Sequence, residues 1–205
     1  MSGCCDGGCS ENALQEKRQR GTLKIVLVIN AIMFLMIAAA AIYGRSTALL
    51  ANSFDNFGDA LTYALSLYAV SRGASTKAKV ALFKGVLILI AAFMVTGQII
   101  YKLYVPSVPV FETMGVFGFF SLMTNALCLL LLWRHRHEDV NMSSVWECSR
   151  NDIASDLSII MAAGAVWLFG SGWPDLLIAF ALVILLYRSS YRVICSAKVE
   201  LKNTG

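Results

Sequence analysis

Polar residues occupy only short stretches of this chain, and six apolar segments run between them, at 22–43, 48–71, 80–103, 110–133, 144–169 and 174–194. Each is close to the ~20 residues that a helix needs to cross a hydrocarbon layer of roughly 30 Å. The links GRST, RGASTKAK, YVPSVP, RHRHEDVNMS and GSGW carry charges or turn-forming Gly, Ser and Pro. Strands of a membrane barrel are shorter and alternate in polarity, so all six segments read as helices. The pattern predicts an all-α membrane protein of six transmembrane helices. It divides into a Cys-containing tail at 1–21, a six-helix domain at 22–196 and a short tail at 197–205. The first segment shares features with a signal peptide: KRQR, an apolar stretch from Ile25, then small residues at 38–41. Its apolar run continues through Ile42, longer than the roughly 7–15 residues usual in such a signal, and it is read as a retained helix.

Composition agrees. Of 205 residues, 58% are apolar and only 15% charged, against roughly 25% charged in a soluble domain. Too few polar groups remain to cover a globule in water, which excludes both a soluble domain and a disordered chain. With 3 Pro and 15 Gly the chain is neither collagen-like nor Pro-rich. The net charge of +4 gains meaning from its location. All of the 17 Lys and Arg except Arg45 and Lys102 fall at the N-terminus, the second-to-third and fourth-to-fifth links, and the C-terminal end. Basic residues stay on the cytoplasmic side, so both termini are expected to be cytoplasmic, in the inner membrane if the source is bacterial. The N-terminal Cys4, Cys5 and Cys9 then sit in a reducing compartment as thiols.

Ionisable groups inside a membrane segment are costly and need a partner or a function. Lys84, Lys102 and Arg188 lie near helix ends, where long side chains reach the headgroups. Glu112, Glu147 and Asp175 begin segments, where a carboxylate suits the positive end of the helix dipole. Four acids resist both accounts: Asp55 and Asp59 in the second helix, Asp152 and Asp156 in the fifth. Each pair is spaced i, i+4, so its carboxylates project from one face on successive turns. Asp59 lies roughly 18 Å from the inner end of its helix, and Asp152 and Asp156 roughly 13 and 20 Å from theirs. At one depth, with no Lys or Arg expected nearby, these groups persist only if protons or a cation neutralise them. A site that holds either a metal or protons is the physical basis of metal/proton exchange, because ligands lose protons to bind metal.

Cys148 stands one turn before Asp152 on the same face, and a thiolate there favours softer ions such as zinc or cadmium. Asn52, Asn56, Asn125 and Asn151 flank the acids or lie at similar depth and read as their hydrogen-bond partners. The CCDGGC tail suits the collection of soft metal, or nothing at all. His135 and His137 fit a solvated basic loop.

These motifs resemble those of the cation diffusion facilitators, six-helix exporters of zinc and related divalent ions. STALLANSFDNFGDAL resembles the family's second-helix motif and places Asp55 and Asp59 on its paired metal ligands. CSRNDIASDLSI resembles the fifth-helix motif, GSGWPDLLIAFALVILLYRS the stretch into the sixth helix, and Asn125 an asparagine often found in the fourth. Two registers fit the fifth helix. One, which is favoured, pairs Cys148 with Asp152, and the other pairs Asp152 with Asp156. Neither holds the histidine usual in zinc members, which leaves manganese in play beside zinc, cadmium and cobalt. Where members of the family carry a cytoplasmic C-terminal domain, this chain ends about ten residues after its sixth helix. A homodimer would therefore use membrane helices.

The resemblance and the acids together imply proton-coupled efflux of a divalent cation from the cytoplasm, Zn²⁺ first, with Cd²⁺ and Co²⁺ beside it, through a site between the second and fifth helices. The metal site is expected at Asp55, Asp59, Cys148, Asp152 and Asp156. The protein is read as a transporter rather than an enzyme, with no cofactor beyond the metal it carries. Its partners are the ion, protons and the lipid bilayer, and nucleic acid is not among them. Two other readings stand: a thiol-dependent soft-metal shuttle or redox protein centred on the N-terminal cysteines, and a non-transporting membrane subunit whose acids only hold helices together.

Overall fold

A computed structural model describes residues 6–69, 74–133 and 140–204. Every element among them is a helix: α1 (Asp6–Tyr43), α2 (Thr47–Ala69), α3 (Ala74–Tyr104), α4 (Phe111–Trp133), α5 (Val140–Phe169) and α6 (Trp173–Thr204). The helices stand where the apolar runs do, but four of them are longer. α1 begins at Asp6 rather than at 22, and α6 continues to Thr204, through most of what reads as a tail. Apolar runs register only the part of a helix that lipid would surround. Polar extensions such as ENALQEKRQR are made of good helix formers and prolong the helix without prolonging the run. For the same reason the RGASTKAK link is helical from Ala74 onwards.

Five of the six helices are long and apolar enough to cross a membrane: within α1, α3, α4, α5 and α6 the spans are Arg20–Tyr43, Ala81–Tyr104, Phe111–Trp133, Asn151–Phe169 and Trp173–Val199. α2 has the length, at 23 residues, but its apolar content is diluted by Asn52, Ser53, Asp55, Asn56 and Asp59. Those residues are what make it the chemically interesting helix.

Three of the links meet at one end of the bundle. The Val110 N–H before α4 donates to the Gly44 carbonyl in the α1–α2 turn, at 2.9 Å. Gly172 in the α5–α6 link lies so close to the α3–α4 link that a Cβ on it would fall 2.5 Å from the Ser107 carbonyl oxygen. Neighbouring Gly170 ends α5 with φ +58°, the left-handed conformation that glycine adopts without strain. The six helices therefore run up and down in alternation, with the start of α1 and the end of α6 at the opposite end.

One apolar core joins all six helices, with Met33 and Ile37 of α1, Leu49 of α2, Ile88 and Val95 of α3, Met114 of α4, Ile159 and Val166 of α5, and Leu182 and Leu186 of α6. α3 and α6 pack closely along a polar-studded seam. The Ser190 hydroxyl donates to the Gly85 carbonyl at 2.8 Å, the Thr96 and Tyr187 hydroxyls lie 3.1 Å apart, and Phe93 meets Tyr187 edge-to-face. α4 and α5 pack through Gly118 against Ile159 and Ile160. Large apolar side chains such as Leu35, Phe93, Leu130, Met161 and Leu177 point outward, as a lipid-facing surface requires.

Candidate functional site

α2 lies against α1, α3, α6 and α5, and its polar stripe faces inward. Asn52, Asn56 and Asp59 are spaced i, i+4, i+7 and are all buried, while Asp55 beside them is half-buried. From α5, Asp152 and Asp156 turn toward the same region and are buried as well. The two helices meet at Asp59 and Asp152, whose carboxyl groups lie within hydrogen-bonding reach of each other. Two carboxyls in that contact need a proton or a cation between them, since two bare carboxylates repel. Asp55 lies within electrostatic reach of Asp59, Asp152 and Asp156.

Asp156 has a different environment. Its Oδ1 accepts from the Asn52 side-chain amide at 3.1 Å and its Oδ2 from that of Asn125 at 2.8 Å. The Ser121 hydroxyl, which itself accepts from Asn52 at 3.2 Å, also donates to it. This fully buried acid is thus tied to α2 and α4 by neutral donors, which satisfy a buried carboxylate without a counter-ion. Asn52 and Asn125 do what the sequence suggests of them. Asn151 does not, because it is exposed.

Of the five expected metal ligands, the structure brings Asp59 and Asp152 into direct contact, sets Asp55 and Asp156 close by, and leaves the side chain of Cys148 outside the described residues, along with those of Cys4, Cys5, Cys9, His135 and His137. Among the described residues, no three His, Cys, Asp or Glu converge tightly enough to hold a metal ion. The cluster stands as a carboxyl pair with two further acids around it.

Two lysines behave otherwise than their positions suggest. Lys102, near the end of α3, does not reach for headgroups. It is buried and forms an ion pair with Asp175 of α6 at 3.1 Å, and it also donates to the Arg45 carbonyl. Asp175 stands in the first turn of its own helix, as its position suggests, and serves a second helix as well. Its Oδ2 accepts from the Thr47 N–H at 2.8 Å, and its Oδ1 from the Ala48 N–H at 3.0 Å and the Ser46 hydroxyl at 2.6 Å, which caps the start of α2. Three helix ends are pinned there by one carboxylate. The signal in the sequence is Ser46, an N-cap residue type directly before α2, which has no acid of its own in its first turn. Lys84 of α3 likewise turns inward, donating to the Thr62 hydroxyl of α2, which in turn donates to the Gly58 carbonyl at 2.8 Å. α3 therefore holds α2 directly through Lys84 and holds its start indirectly through Lys102, Asp175 and the α1–α2 turn, on the two sides of the acids.

An up-and-down helical bundle with membrane-length apolar helices and buried acids on two facing helices defines a polytopic membrane protein with an acidic cluster between two of its helices. The chain matches the cation efflux transmembrane domain over residues 23–201, so it belongs to the cation efflux family, the cation diffusion facilitators, and is an integral membrane protein of metal-cation transport. No curated protein matches the chain closely enough to count as a relative.

Proposed function

We propose that the protein exports a divalent metal cation from the cytoplasm in exchange for protons, at a site between α2 and α5. The contact between Asp59 and Asp152 carries this reading. It supports the reading because two titratable carboxyls from two different helices come together at one buried point, where a shared proton and a bound cation would exclude one another. Asp55 supplies a further carboxylate at the edge. Cys148, one turn before Asp152, completes the set in the favoured register. The amide and hydroxyl donors around Asp156 support that register, because they give this acid a positioning role. Zinc is the first cargo to test, followed by cadmium, cobalt and manganese. The distribution of Lys and Arg in the sequence supports cytoplasmic termini.

Transport around a site shared by two helices requires those helices to shift against each other, exposing the site to one side and then the other. α2 is pinned to α3 and α6 through Asp175 and Lys102, while α5 packs on α4, so the moving seam falls between α2 and α5. The test is metal-driven proton movement in proteoliposomes of the wild type and Asp59→Ala. A signal in the wild type that disappears in the variant is expected. Equal signals from both proteins would remove the site. If activity depended on the N-terminal cysteines and was indifferent to Asp59→Ala, the thiol-shuttle reading would replace it.

A further inference from the structure

Asn56 is the one member of the α2 stripe whose side chain is half used. It is 4% exposed, and it sits between Asn52, which reaches Asp156 of α5, and Asp59, which meets Asp152 of α5. Helical spacing places all three on one face, toward α5. The Asn56 Nδ2 donates to the Asn52 carbonyl one turn back, at 3.0 Å. That bond fixes the orientation of the amide, because a flipped side chain would set its own oxygen against a carbonyl oxygen. Its Oδ1 is therefore directed away from the Asn52 carbonyl, and among the described residues it is buried with no hydrogen-bond donor.

A buried carbonyl oxygen without a donor is uncommon and calls for a partner. Its neighbours along the stripe reach carboxyl groups, which are acceptors when ionised and offer it nothing. A cation satisfies the oxygen and the carboxylates together. We infer that Asn56 Oδ1 is a direct ligand of the transported ion, and that this neutral oxygen shifts the preference of the site toward oxygen-seeking divalent ions, with manganese(II) as their representative, relative to zinc. The inference rests on the transport site proposed above and specifies it. Carbonyl and carboxylate oxygens suit manganese, which takes a larger oxygen shell, whereas zinc is content with four ligands and prefers nitrogen and sulfur. Loss of the oxygen should cost manganese more than zinc.

The test uses the full chain in proteoliposomes, with manganese and zinc fluxes measured separately for the wild type, Asn56→Leu, Asn56→Asp and Asp59→Ala. Leu matches Asn in shape and lacks the oxygen. The wild type is expected to carry manganese, and Asn56→Leu to lower the manganese-to-zinc flux ratio by about tenfold, the lower end of what a group supporting a metal site contributes. Asn56→Asp, which keeps an oxygen, should hold the ratio at or above that of the wild type. An unchanged ratio in Asn56→Leu, including equal loss of both fluxes, overturns the inference while leaving the site intact, provided that Asp59→Ala is inactive. So does a wild type that moves zinc but no manganese. Equal flux from the wild type and Asp59→Ala overturns the site and the inference together. If Asn56→Leu is not monodisperse in detergent, Asn56→Ser, whose hydroxyl falls short of the amide position, is read by the same criteria.

Discussion

Asp175 at the start of α6 and Lys102 near the end of α3 form an ion pair at 3.1 Å, both almost completely withdrawn from the surface. The carboxylate is shared: besides the ammonium it holds the first two N–H groups of α2 and the Ser46 hydroxyl. The ammonium is shared too, since it also binds the carbonyl of Arg45, a non-glycine residue in the left-handed conformation at φ 50°. The α1–α2 turn, the start of α2 and the α3–α6 pair are thereby fixed to each other about one charge pair, about two turns from Asp55.

Removal of either member leaves the other charge buried alone. Asp175→Ala and Lys102→Met should each destabilise the protein by about 3–5 kcal/mol, the usual cost of breaking a buried pair from one side. The double substitution Lys102→Met with Asp175→Asn should be milder than Asp175→Ala, because no unpaired charge remains and the asparagine oxygen still accepts from the start of α2. Thermal melts of the detergent-purified proteins give the order. A double variant less stable than Asp175→Ala would show that the pair is not what holds this end together.

The acids of α5 should separate by function. Asp152→Ala removes one half of the carboxyl pair and should abolish metal flux. Asp156→Ala removes the acceptor of Asn52, Asn125 and Ser121, and each buried donor left unsatisfied costs about 1–3 kcal/mol. Its main effect should be a lowered melting temperature with residual flux. Comparison of flux per folded protein for the two variants decides the register. Total loss of flux in a well-folded Asp156→Ala would make Asp152 and Asp156 the ligand pair.

Much of this architecture is legible in the sequence. The positions of the helices follow from apolar run length, and the inward direction of Asp55, Asp59, Asp152 and Asp156 follows from i, i+4 spacing and the cost of charge in lipid. What is not legible has a common physical origin. Lys84, Lys102 and Asp175 lie near helix ends, where local reasoning offers each a cheap solution in headgroups or in its own helix dipole. Their actual partners, Thr62, Asp175 and the start of α2, are 22, 73 and 128 residues away in sequence. No periodicity reports such distances. The ends of α1 and α6 escape for a different reason: a polar helix outside the apolar layer has no hydropathy signal. The difference in surroundings between Asp152 and Asp156 depends on which of them meets the amides of Asn52 and Asn125, and only packing reveals that.

The links should be selective about their glycines. At Gly172 a Cβ would sit 2.5 Å from the Ser107 carbonyl oxygen, and backbone cannot yield as a side-chain tip does. Gly172→Ala should therefore destabilise by about 1–3 kcal/mol. Gly164, within α5, has nothing within 4 Å of such an atom, and Gly164→Ala should stabilise by up to ~1 kcal/mol through helix propensity alone. Opposite shifts in melting temperature are expected. Equal shifts would mean that the α3–α4 and α5–α6 links do not touch.

Exchange makes a thermodynamic demand that can be checked without transport. If the proton between Asp59 and Asp152 and an incoming cation compete for the same oxygens, metal binding must release protons, and acidification must weaken it. The sign follows from mass action: with protons on the product side, higher proton concentration opposes binding, so the apparent affinity should rise with pH. Zinc or manganese titrated into weakly buffered detergent-solubilised protein should acidify the solution, and Asp59→Asn, with no acid left at that position, should release fewer protons per ion bound. Binding that was tight, unaffected by pH and silent in proton release would mean that the cation is held elsewhere, and that the meeting of Asp59 with Asp152 is only a contact between helices.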